Sequence, residues 1–262
     1  MFNFGKKIHR NVNNQGSVEV SEIDGIRSLY LGSITVQSSM KVSAPNELLL
    51  PYSRAMMLFL LFLKERLDIL ILGLGGGSIP KFIRTHLPEC KTRVVEINPE
   101  VVKVARSHFY LPDNDDFLQV VEEDGARYLK EHPGNTDVLM LDIFDAHGIP
   151  PNLYAQDFFD SCFEALNSDG MMAVNLWGSD KNFDIYLQRI EISFNRRVLV
   201  IKTGKPGNIV VLGFKHPPAE LRWEPIREKA KTLDEKYKLG FMLLLDRVRE
   251  SNPHTNNRIV MD

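Results

Sequence analysis

Two stretches of this chain bring together residue types that could do chemistry. In the first, Ile69-Leu70-Ile71-Leu72 runs directly into Gly73-Leu74-Gly75-Gly76-Gly77-Ser78. An apolar run followed by clustered glycines reads as a buried strand turning into a helix. Glycine is needed there because a side chain would keep the backbone away from a ligand, and because tight turns often require positive φ. Glu96 ends the next apolar run, a place from which a carboxylate accepts hydrogen bonds from both hydroxyls of a ribose. Ser78 stands where a dinucleotide fingerprint has a further glycine, which favours a nucleoside site without pyrophosphate. Asp124-Gly125 adds a carboxylate at the next sheet crevice. It either accepts from an adenine amino group or forms an ordinary Asp-Gly turn.

In the second stretch, Val138-Leu139-Met140-Leu141 ends in Asp142-Ile143-Phe144-Asp145. Two acids at the carboxyl edge of a strand sit where open α/β sheets bind ligands. Beside a sulfonium nucleoside they could hold a cationic amine and accept its proton as nitrogen attacks carbon. An aspartate of pKa about 4 is a poor base for an ammonium of about 10, so orientation and charge pairing matter more than proton affinity. The alternative makes Asp145 a turn or helix cap and Asp142 a ligand contact that moves no proton. Gly148-Ile149-Pro150-Pro151 then forms a stiff loop able to close over a substrate, flanked by Leu153, Tyr154 and Phe158. His108 and His147 stay outside the catalytic set, because a single histidine near a helix end or in a loop is more often structural.

The elements that must position these groups follow from the pattern. Strands are expected over 68–72, 93–97, 118–121, 138–141, 171–176, 198–201 and 209–214, with helices over 78–86, 99–107, 158–166 and 183–194. Strand alternating with helix implies parallel β. Ahead of them, β-rich runs between 18 and 37 joined by Asp24-Gly25 form a small antiparallel unit. Residues 52–64 read as one buried helix, and 226–237 with 241–248 as a helical tail packing on the sheet or on a second subunit. The expected fold is a doubly wound Rossmann-like sheet of the S-adenosylmethionine-dependent methyltransferase type. Its divisions are 1–50 for the N-terminal β unit, 51–216 for the nucleoside-binding catalytic domain and 217–262 for the helical appendage.

Composition removes other classes. A net charge of −2 with mixed signs supplies no basic face for nucleic acid. The apolar run 55–63 is far shorter than the roughly 20 residues a bilayer needs, so no membrane partner is expected. Cys90 and Cys162, with no metal-ligand spacing, suggest neither disulfide nor structural zinc and fit a reduced cytoplasm. Met1 to Arg10 lacks the apolar stretch of an export signal.

The combination resembles the spermidine synthase family of aminopropyltransferases, particularly its divergent bacterial members, over roughly 18–214. The resemblance is carried by Val36-Gln37-Ser38-Ser39, Tyr52-Ser53-Arg54, Gly73 to Ser78, Val95-Glu96-Ile97-Asn98-Pro99, Asp124-Gly125 and Asp142-Ile143-Phe144-Asp145, in that order. It implies that Gln37 and Glu96 contact the nucleoside, Asp124 the adenine and Tyr52 the amine region. Asp142 is implied as the catalytic acid-base residue, and Asp145 as a polyamine ligand. It also implies aminopropyl transfer from decarboxylated S-adenosylmethionine to putrescine or a related amine, no metal or prosthetic group, and a homo-oligomer, most simply a dimer. Two departures stand out. The loop aspartate that in the family pairs with the donor's ammonium is replaced by Gly76, and Thr203-Gly204-Lys205-Pro206-Gly207-Asn208 stands in place of a tyrosine- and proline-rich amine-site segment.

These departures keep two other readings open. A glycine loop at a helix N-terminus tolerates a carboxylate, so ordinary S-adenosylmethionine could donate a methyl group to an amine or protein. The chain could also be a nucleoside-binding protein without catalysis.

Overall fold

The computed structural model describes residues 6–13, 16–63, 66–143, 153, 155–204 and 207–261. Four antiparallel strands open the chain: β1 (Lys6–Asn13), β2 (Gly16–Ile23), β3 (Ile26–Leu31) and β4 (Val36–Lys41), paired in chain order. Asp24 and Gly25 both take positive φ, 49° and 73°, which sets Ile23 opposite Ile26 in the tight hairpin their sequence predicts. β1 was not expected from its charged sequence. It is an edge strand, where cations discourage further pairing, and Lys7 and Arg10 reach across to Glu19 on β2 at 2.5 and 3.0 Å.

Residues 52–64 do not form one helix. α1 (Pro51–Met56) and α2 (Phe59–Phe62) are separated at Met57 and Leu58, whose amides bond three residues back, to Arg54 and Ala55, rather than four. The whole run from Ala55 to Leu61 is buried, so packing on every side replaces the one-sided packing of a surface helix.

The main sheet contains β5 (Asp68–Leu72), β6 (Lys91–Glu96), β7 (Leu118–Glu122), β8 (Thr136–Leu141), β9 (Leu166–Trp177), β10 (Val198–Lys202) and β11 (Asn208–Phe214), in the order β10-β11-β9-β8-β5-β6-β7. The first five in the chain are mutually parallel. β11, which no helix separates from β10, slots between β9 and β10 antiparallel to both. Only residues 203–207 separate it from β10, enough for a hairpin but too few for a crossover.

Helices α3 (Ser78–His86) and α4 (Pro99–Phe109) share one face of the sheet with α1, α2, α8 (Trp223–Tyr237) and α9 (Phe241–Ser251). α5 (Gly125–Glu131), α6 (Gln156–Ala165) and α7 (Phe183–Ser193) cover the other. The sheet is therefore doubly wound. The tail helices pack within the monomer, with Phe241, Leu244, Leu245 and Val248 buried in the same core as Leu199 and Ile201. None of the described helices is long and apolar enough to cross a membrane. The chain leaves β5 in one direction toward β6 and β7, and β8 and β9 lie on the other side. The carboxyl ends of β5 and β8 thus flank the switch point, where ligands of open α/β sheets bind.

Candidate active site

Gly73 makes the switch point possible. Its φ is +91°, and a β-carbon there would lie 2.2 Å from the carbonyl oxygen of Asp142, so only glycine lets the ends of β5 and β8 meet. Gly75 and Gly77 also hold positive φ, and Gly77 opens α3. Ser78, the first residue of α3, places its hydroxyl 3.4 Å from that of Ser38 on β4, joining the loop to the N-terminal sheet. One cleft is lined by Gln37, Tyr52, Gly73, Gly75, Ser78 and Asp142.

Glu96 sits at the end of β6 under the loop. Its two oxygens accept from the backbone amides of Leu74 (3.0 Å) and Asn98 (2.9 Å). The Ile97 amide also bonds this carboxylate, and because each of its two oxygens takes two donors, room for a ribose hydroxyl remains. Burial raises the Glu96 pKa, and those amide bonds oppose the rise. Asp124 is the N-cap of α5, one oxygen accepting from Ala126 (2.8 Å) and Arg127 (3.0 Å), and Gly125 packs beneath it against Leu72. Its capping role is thus visible, and it lies at the end of β7 beside β6 and Glu96.

Asp142 follows β8 directly, its amide bonded to the carbonyl of Leu72 at 2.9 Å. One carboxylate oxygen accepts from the Tyr52 hydroxyl at 3.1 Å, the other from the Asn175 side-chain amide at 3.0 Å. Burial raises the pKa of Asp142, and these two hydrogen bonds pull against it. Burial and the neighbouring carboxylate push the Tyr52 phenol well above its ordinary range, so it remains a donor. Tyr52 also points to the Gln37 carbonyl at 3.3 Å, so α1, β4 and β8 meet at one hydroxyl. Asp145 lies outside the described residues, as do His147, Tyr154 and Lys205. His108 is placed on α4 with its ring 5.0 Å from that of His9.

Three participants were not singled out from sequence. Asn175 stands in the apolar run Met171-Met172-Ala173-Val174-Asn175-Leu176, and an asparagine in a buried central strand was itself the signal, because a buried amide requires partners. Ser38 lies on β4, where its hydroxyl faces that of Ser78. Phe109, with Ser38, encloses Gly76: a β-carbon at 76 would lie 2.8 Å from the Ser38 hydroxyl and 2.9 Å from the Phe109 ring.

The arrangement joins the cleft beneath the glycine loop to a buried, doubly hydrogen-bonded carboxylate. A spermine/spermidine synthase domain model matches residues 50–181, the stretch that contains all of these groups except Gln37 and Ser38. A polyamine aminopropyltransferase of Chromobacterium violaceum is 39% identical over 261 residues, covering 100% of both chains. One from Neisseria meningitidis is 41% identical over 238 residues, 90% of each. Among solved structures, a spermidine synthase in complex with the transition-state analogue AdoDATO superposes with a TM-score of 0.69 at 19% identity, over 88% of this chain and 79% of that one. The glycine loop, the carboxylate beside it and relatives matched from end to end agree: the chain is a transferase belonging to the spermine/spermidine synthase family.

Proposed function

We propose that this enzyme moves the aminopropyl group of decarboxylated S-adenosylmethionine to a diamine such as putrescine. The reading rests on one observation above others: the carboxylate of Asp142 is fixed from both sides, by Tyr52 and Asn175, at the strand end that Gly73 brings against the donor loop. In this reading Gly73, Gly75, Gly77 and Ser78 shape the donor cleft and Glu96 takes the ribose hydroxyls. Gln37 and the Asp124-Gly125 turn border the nucleoside. Asp142 pairs with the acceptor's ammonium and takes the proton that must leave nitrogen before its lone pair can attack. The new C–N bond forms as the C–S⁺ bond breaks, and methylthioadenosine departs neutral. Burial of Asp142 narrows the gap between its basicity and that of the amine, which favours this transfer. Tyr52 and Asp145 would complete the amine side. The enzyme is read as a cytoplasmic homodimer, organised as a β unit (1–50), a catalytic domain (51–216) and a helical appendage (217–262).

Asp142→Asn tests the assignment. Methylthioadenosine release from decarboxylated donor and putrescine is expected to fall by about 10²–10⁴-fold, while donor affinity in calorimetry stays within a few-fold. Activity within tenfold of wild type would reject Asp142 as the proton acceptor. The uncharged, filled loop at Gly76 favours a second reading, methyl transfer from ordinary S-adenosylmethionine. Titrating both donors side by side separates the two: tighter binding of the ordinary donor, with methyl incorporation, would replace the first reading.

A further inference from the structure

The hydrogen bonds of Asp142 do not end at Asn175. While the Asn175 amide nitrogen donates to Asp142, its oxygen accepts from the side-chain amide of Asn208 at 2.9 Å. Asn208 begins β11, opposite Trp177 in the ladder, and its own carbonyl accepts from both the amide (3.0 Å) and the hydroxyl (2.7 Å) of Thr203. The carbonyl of Thr203 in turn accepts from Arg247 on α9 at 2.5 Å. Asn175, Asn208 and Thr203 are 2%, 6% and 1% exposed, so water does not substitute for these contacts.

An asparagine side chain has a donor end and an acceptor end of nearly the same shape. With its oxygen turned toward Asp142, Asn175 would set acceptor against carboxylate. The acceptor-only Asp142 carboxylate takes the nitrogen end of Asn175, and the Asn208 amide nitrogen meets the oxygen end that this leaves, so the two amides pair in one donor-to-acceptor direction. Two amides buried between apolar strands are costly unless paired, and each supplies the other's partner here. We infer that Asn175 and Asn208 are positioning residues for the transfer reaction, a buried amide relay that holds the Asp142 carboxylate in one orientation and anchors it, through Thr203 and Arg247, to the C-terminal helix. The inference deepens the role of Asp142 proposed above and rests on it. Among the described residues the titratable side chain bonded to Asp142 is Tyr52 on α1, which stays a protonated donor through the neutral range.

Asn208→Asp reverses the relay. An acceptor-only carboxylate at 208 draws the Asn175 nitrogen toward itself and turns the Asn175 oxygen to Asp142, which then favours its protonated form. The acidic limb of the kcat/KM profile for the amine should move up by about one pH unit, with roughly tenfold lower kcat/KM at pH values on that limb and donor affinity within about threefold of wild type. Asn208→Ser, which removes the reach without adding charge, should move the limb in the same direction by less. It decides the matter alone if the aspartate variant does not fold by circular dichroism. Lower activity at every pH with an unmoved limb means a purely structural role and overturns the relay, as does a wild-type profile. The two assignments fail separately: an active Asp142→Asn enzyme overturns the role of Asp142, whereas an inactive one beside an unmoved limb in the Asn208 variants overturns the relay alone.

Discussion

Installing at position 76 the aspartate that the family's donor loop carries should harm this enzyme rather than improve it. Gly76 does not need glycine for its backbone, since its φ is outside the left-handed region, so the whole cost of a side chain is contact. The β-carbon alone meets the Ser38 hydroxyl at 2.8 Å and two carbons of the Phe109 ring at 2.9 and 3.1 Å. Phe109 cannot easily yield: it is fully buried, and its carbonyl is held at 2.6 Å by the buried ammonium of Lys81. Overpacking of this kind costs about 1–3 kcal/mol, and 1 kcal/mol is worth about 2–4 °C in a domain of this general size, so Gly76→Asp should lose about 2–12 °C in Tm. The assays are thermal unfolding and calorimetric titration with decarboxylated donor, for which affinity should fall. Gly76→Ala isolates the steric part and should move the same way. Ser38→Ala in that background should recover only part of the loss, because the ring contact remains. An unchanged Tm for the alanine variant, or tighter donor binding by the aspartate variant, would refute the packing argument.

Other consequences follow from single contacts. Tyr52→Phe removes one of the two donors to Asp142; a hydrogen bond to a charged group is worth about 1.5–3 kcal/mol, so kcat/KM for the amine should fall roughly 10- to 100-fold, with its acidic limb moving up. A wild-type profile would show the phenol to be a bystander. Lys81 is 1% exposed and burial lowers its pKa to about 8. Because the folded pKa lies below the unfolded value, the cost of its charge is fully present at neutral pH and is relieved as pH rises. Between roughly pH 8 and 10.4 the wild type should gain up to about 1.4 kcal/mol per pH unit relative to Lys81→Met. Urea midpoints of the two proteins that run parallel with pH would contradict this.

What could be read from sequence was local. Asp24-Gly25 determines its own turn, the glycines after Leu72 mark a strand-to-helix junction by themselves, and the apolar runs are enough to locate the central strands. β1 escaped notice because an edge strand tolerates charge at most positions, and residues 52–64 were read as unbroken because complete burial hides the periodicity that would reveal a bend. The position of β11 followed from the short connection before it rather than from its composition.

The amine side was less legible for a different reason. Among the described residues, the contacts of the Asp142 carboxylate are long-range: Tyr52 comes from α1, Asn175 from β9, and the residue bonded to Asn175 from β11. None of these pairings has a spacing that a sequence pattern could show, whereas Glu96 is held by amides from its own strand end and the adjoining loop. The glycine loop with Glu96 is therefore a property of one βαβ unit, and the setting of the Asp142 carboxylate is a property of the assembled sheet. It follows that changes in the β10–β11 connection or at Arg247 should alter amine turnover while sparing donor binding, although among the described residues Arg247 reaches the site through Thr203, Asn208 and Asn175.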